Sequence, residues 1–68
     1  MFFYDFKTFK IGNYSKILNF DDKKMVILLK NNNTVELIGS ELFISFYDKE
    51  EIIIEGKIKD IKINYENV

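Results

Sequence analysis

Cysteine, histidine and proline are absent from these 68 residues, and all ten basic side chains are lysines. Without Cys or His there can be no disulfide and no Cys/His zinc cluster, the staples that usually hold so short a chain together. The same absence removes the commonest general base and the commonest low-pKa nucleophile. The three glycines form no G-x-G-x-x-G or Walker pattern, so nothing is laid out to cradle a phosphate. No residue is nominated as catalytic, no metal or cofactor is expected, and the chain is not expected to be an enzyme. Ten lysines against eleven carboxylates leave a net charge of -1, which gives no basic footprint for nucleic acid. No apolar run approaches the ~18 residues that mark a membrane span. The opening Met-Phe-Phe-Tyr-Asp-Phe-Lys also lacks the basic and long apolar regions of a signal peptide, so a cytoplasmic protein with no direct membrane span is expected. The lack of Ala, Arg and Pro beside abundant Ile, Lys and Asn fits the codon bias of an AT-rich genome and a low-GC bacterium.

What the chain does contain is alternation. From Val35 to Tyr65, β-branched and aromatic residues alternate with polar ones around Gly39 and Gly56, the period of two that places one set of side chains on one face of a sheet. The aromatic run from Phe2 to Phe9 is expected to open a first strand ending near Ile11, followed by a turn at Gly12-Asn13. Tyr14 to Phe20 is a further strand in which Ile17-Leu18 breaks the alternation. Met25 to Leu29 is an unbroken apolar run suited to a central strand covered on both faces. Lys30-Asn31-Asn32-Asn33 tolerates left-handed backbone and should join that strand to Val35–Ile38 in an antiparallel hairpin. Gly12, Gly39 and Gly56 are each followed five residues later by an isoleucine, a recurring strand-turn-strand grammar too irregular for a solenoid.

The parity of the alternation slips twice. Val35 and Leu37 are odd-numbered, whereas Leu42, Ile44 and Phe46 are even; Ile52, Ile54 and Ile58 are even, whereas Ile61, Ile63 and Tyr65 are odd. A turn, bulge or change of sheet is therefore expected at Gly39-Ser40 and again at Lys59-Asp60, which would leave Lys57, Lys59, Lys62 and Asn64 facing water. The expected fold is all-β, a small antiparallel β-sandwich or partly open barrel of six to seven short strands, forming one domain over residues 1–68. Gly39→Val should cost about 1 to 3 kcal/mol through the special backbone that the slip implies.

The carboxylate pairs Asp21-Asp22 and Glu50-Glu51 fall in lysine-containing connections and read as solvated turns. With Leu42, Ile44, Phe46, Ile52 and Ile54 directed into the core, parity directs Phe43, Tyr47 and Ile53 away from it, and these three form the expected partner interface. A chain with so little room for a core, and with unpaired strand edges, is expected to associate with itself or with another protein. The alternative from a different functional class is a small OB-like single-stranded nucleic-acid binder, in which aromatics would stack bases beside lysines. The charge balance disfavours it, and nucleic acid is not an expected partner.

Taken in order, Ile11-Gly12-Asn13-Tyr14 with Ile17 and Phe20, then Val35-Glu36-Leu37-Ile38-Gly39-Ser40-Glu41-Leu42-Phe43-Ile44, then Ile52-Ile53-Ile54-Glu55-Gly56-Lys57-Ile58-Lys59-Asp60-Ile61 resemble the YabP/YqfC family of sporulation proteins of endospore-forming Firmicutes. Two elements akin to the family's I-x-G, Leu37-Ile38-Gly39 and Ile54-Glu55-Gly56, carry the resemblance, the first followed by Leu42 and Ile44 and the second by Ile58 and Ile61. Asn13-Tyr14 is closest to the YqfC branch. The resemblance implies expression in the mother cell during spore formation and a non-enzymatic assembly or adaptor role in building the spore envelope. It also implies a sporulation membrane protein as partner, through which a cytoplasmic oligomer could become membrane-associated.

Overall fold

The computed structural model describes residues 2–4 and 7–65, and among them the fold is all-β, with no helix. The strands are β1 (Phe2–Tyr4), β2 (Thr8–Gly12), β3 (Tyr14–Phe20), β4 (Lys24–Leu29), β5 (Thr34–Tyr47) and β6 (Glu51–Asn64). All are antiparallel to their neighbours in one six-stranded sheet of order β1-β2-β6-β5-β4-β3. The aromatic amino-terminal run, expected as one strand, is two strands that pair with each other, Phe2 opposite Ile11 and Tyr4 opposite Phe9. No Gly, Pro or Asn marks that reversal, so alternation alone could not place it. Of the residues between these strands, Asp5 and Phe6 lie outside the described ones.

The long strands β5 and β6 organise the sheet. The first half of β5 pairs with β4 and with the second half of β6, from Val35 opposite Ile63 to Ile38 opposite Asp60. Among the described residues the second half of β5 pairs only with the first half of β6, which pairs on its other side with β2. The chain does not stop at Gly39-Ser40. It bends there, so that one half of the sheet folds over the other to enclose a core.

Both parity slips are bulges at this corner, one at Lys59 as expected and the other at Glu41-Leu42, just past the expected Gly39-Ser40. Lys59 is the extra residue between the pairs Ile38–Asp60 and Gly39–Ile58, while Glu41 and Leu42 together oppose Gly56. A bulge adds a residue on one strand only, bending it and exchanging its faces. Asn13, in left-handed backbone with φ 58°, ties the two halves together from the other side. Its amide donates to the Glu50 carbonyl and its carbonyl accepts from the Lys30 amide.

The core comprises Phe9 and Ile11 from β2, Met25, Ile27 and Leu29 from β4, Val35, Leu37 and Leu42 from β5, and Ile52, Ile54 and Ile58 from β6. Tyr14, Ile17, Ile44, Ile61 and Ile63 pack against it, half-buried. Three expectations need correction. β4 is not central but lies between β5 and the edge strand β3, and it is covered fully on one face only, because Val26 and Leu28 alternate with the buried Met25, Ile27 and Leu29 and remain half-exposed. Phe46 is 46% exposed rather than in the core, because a third bulge at Ser45 sets Phe46 opposite Ile53, one step after Ile44 opposes Ile54. Tyr65, at the end of its run, is 71% exposed.

Candidate functional site

The outer face of the half-sheet made by β2, the first half of β6 and the second half of β5 carries a group of apolar side chains that the core does not use. Directly paired residues on antiparallel strands share a face. Phe46 on β5 opposes Ile53 on β6, which opposes Lys10 on β2; one row away, Phe43 opposes Glu55, which opposes Thr8. Phe43 and Phe46 are each about half-exposed and Ile53 is half-buried between its neighbours. The Lys10 ammonium reaches the Glu51 carboxylate at 3.5 Å, a geometry that lets a lysine stem cover apolar surface while its head stays in water. The result is an apolar centre rimmed by Lys10, Glu51 and Glu55.

The structure thus brings Phe43 and Ile53 of the expected interface together and adds Phe46 to them. Tyr47 is placed differently. It opposes the buried Ile52, so it has the core-side parity, but it sits at the strand end and is 66% exposed. The Ser45 hydroxyl donates to the Ile53 carbonyl at 3.3 Å across the bulge that makes this exchange. A serine among strand residues is no distinctive signal for such a bulge, so the sequence does not mark Phe46 as an outer-face residue. Lys10 is placed by pairing alone and had no mark of its own.

The two acidic connections have a shared construction. In the β3–β4 turn the Asp21 carboxylate accepts from the amides of Lys23 and Lys24, at 2.7 and 2.9 Å. In the β5–β6 turn the Asp48 carboxylate accepts from the amides of Glu50 and Glu51 at the same two distances. These amides hold both carboxyls below the ordinary carboxylate value of 3.8, since a hydrogen bond to the charged form favours it. The Tyr14 hydroxyl also donates to the Asp48 carbonyl, fastening the second turn to β3. Elsewhere Lys24 and Glu36 pair at 2.8 Å across β4 and β5, and that contact raises the lysine and lowers the glutamate. The carboxylates therefore shape turns and pair with lysines. Among the described residues no group of acidic side chains is arranged to hold a metal ion.

A pH dependence follows. A carboxyl whose native pKa is depressed takes up protons more readily in the unfolded chain, so its stabilisation is present above the unfolded value and is lost as pH falls through the native one. Denaturation midpoints should fall from about pH 4 downward, and Asp21→Ala/Asp48→Ala should flatten that fall while lowering stability at neutral pH. A variant as acid-sensitive as the wild type would show that these turns do not govern the response.

A family model, that of the YabP family, matches residues 2–67. The chain belongs to the YabP family, and this membership fits a sporulation-related protein. Comparison with curated proteins gives no match. The corner explains the ordered elements by which the chain resembles its family. Gly39 and Gly56 lie where the two long strands pass closest, with the backbone of Lys57 against one and the backbone of Glu41 against the other. Leu42 and Ile58 are buried beside them, and Ile44 and Ile61 pack at the margin of the core. These six positions all lie at or beside the corner. Among the described residues no helix is long and apolar enough to cross a membrane.

Proposed function

We propose that this YabP-family chain is a non-enzymatic assembly or adaptor module of spore formation, working in construction of the spore envelope. In this reading it acts in the mother-cell cytoplasm and reaches the forming envelope by docking on a sporulation membrane protein. The observation that carries the reading is the outer face on which Phe43 and Phe46 stand exposed around Ile53, because apolar side chains grouped on a sheet face and rimmed by polar ones suit a protein partner. Three of the ten lysines, Lys10, Lys24 and Lys57, each lie against a carboxylate, and the net charge of -1 further disfavours the nucleic-acid alternative.

The test is Ile53→Lys, which sets a second cation beside Lys10 at the centre of this face. Burying the isoleucine would contribute roughly 1.5 to 3 kcal/mol, so capture of the membrane partner by crosslinking in sporulating cells should drop about ten- to a hundredfold. Heat-resistant spore counts should fall with it, while the melting temperature of the purified variant stays near that of the wild type. A stably folded variant that supports wild-type spore counts and crosslinking would overturn the reading.

A further inference from the structure

We propose that the free edge of β5 from Phe43 to Tyr47 pairs with the same edge of a second copy of this chain, antiparallel about a twofold axis. This goes beyond the adaptor reading and requires no sporulation partner. β4 pairs with β5 only as far as Ile38, and the β3–β4 connection then supplies the carbonyls of Lys23 and Asp22 to the amides of Gly39 and Leu42. Beyond Leu42, among the described residues, β5 is paired with β6 alone. Amide directions alternate along an antiparallel strand, so the Ile44 amide follows that of Leu42 toward the side with no neighbouring strand.

The composition of this edge separates it from two others. The free side of β6 in its second half carries Lys57, Lys59 and Lys62 with a bulge at Lys59, and β3 carries Lys16 between bulges at Ser15 and Leu18. Lysines and bulges are the features by which sheet edges avoid one another. The segment Leu-Phe-Ile-Ser-Phe-Tyr at 42–47 has no charge, no Gly and no Pro, so an antiparallel copy meets no like charge along its length. Each of its two ends carries one acidic and one basic side chain, so neither end presents a net charge to a second copy. Glu41, paired with Lys57 at 3.1 Å, lies at one end and the Asp48-Lys49 turn at the other, and twofold pairing brings each end of one copy to the opposite end of the next. A twofold contact needs a patch compatible with itself. Phe43 and Phe46 of the two copies would then lie side by side, as cross-strand aromatic pairs do. The bulge at Ser45 shortens the regular ladder, so the dimer is weak and forms at micromolar concentrations.

The experiment is sedimentation of the full chain over a micromolar range, with hydrogen exchange of individual amides at the two ends of that range. The wild type should shift from monomer to dimer, and the Ile44 amide should become more protected as concentration rises while interior amides of β4 do not change. Ser45→Lys should raise the dimer dissociation constant by roughly tenfold or more, through two like charges brought close together beside the twofold axis, while Lys62→Ser on the β6 edge leaves it unchanged. Ile53→Lys, on the outer face and away from this edge, should still dimerise, so loss of partner capture and loss of self-pairing are told apart. A wild type that stays monomeric, or a dimer whose Ile44 amide exchanges as fast as in the monomer, overturns the proposal even if Ser45→Lys fails to fold.

Discussion

Gly39→Val is expected to leave little folded protein at room temperature. A Cβ on Gly39 would lie 2.0 Å from the carbonyl oxygen of Lys57 and 3.1 Å from the Cα of Ile58. Both are backbone atoms, so no rotamer change relieves the overlap, and β6 must move away from β5 at the point where both strands bend. That movement would also draw on the Gly39 amide's hydrogen bond to the Lys23 carbonyl. Typical overpacking costs about 1 to 3 kcal/mol when side chains can yield; here the main chain must yield, and about 3 kcal/mol or more is expected even for Gly39→Ala. A domain of this size has only roughly 3 to 10 kcal/mol to lose. The expectation of a costly Gly39→Val is thus kept with a different cause, since the sequence points to unusual backbone and the structure to close approach. Of the two corner glycines it is Gly56 that has the left-handed φ, at 138°, and its Cβ would also meet the Glu41 carbonyl oxygen at 2.5 Å. Urea melts of Gly39→Ala and Gly56→Ala beside Gly12→Ala provide the check, because a Cβ at Gly12 meets only ordinary contact at 3.7 Å. Equal midpoints for all three variants would contradict the corner.

Phe9→Ala should cost about 3 to 5 kcal/mol, the usual range for removing a fully buried aromatic ring. Phe9 is 1% exposed and lies opposite Ile54, itself fully buried. Its ring belongs to a strand near the start of the chain that pairs with β6, so the loss would be felt across both halves of the sheet. Phe20→Ala is the control: Phe20 lies opposite Met25 but is 62% exposed, and its loss should shift the denaturation midpoint far less. If both variants melt alike, β2 does not seal the core.

Alternation with a period of two was enough to establish an all-β chain, the β4–β5 hairpin, the burial of Val35, Leu37, Ile52, Ile54 and Ile58, the bulge at Lys59, and the existence of a second bulge that falls at Glu41-Leu42, just past the expected Gly39-Ser40. Those features are local, or they repeat along one strand, so the order of residues records them. The family could be read from the same ordered elements, because the corner glycines and the isoleucines and leucine beside them are what this backbone crossing requires. The remaining decisions depend on which strand lies opposite. Tyr14, Ile17 and Phe20 share the core-side parity of β3 at a spacing of three, because Ser15 and Leu18 are extra residues against β4; a spacing of three carries no strand signature. The bulge at Ser45 similarly places Phe46 beside Ile53 and turns Tyr47 to the opposite parity, and it is defined only by the pairing with β6. The reversal between β1 and β2, the position of Lys10 beside Ile53 and the unpaired edge of β5 likewise exist only once the sheet is assembled. A bulge or an edge is a relation between two strands, and a single strand's sequence does not contain its partner.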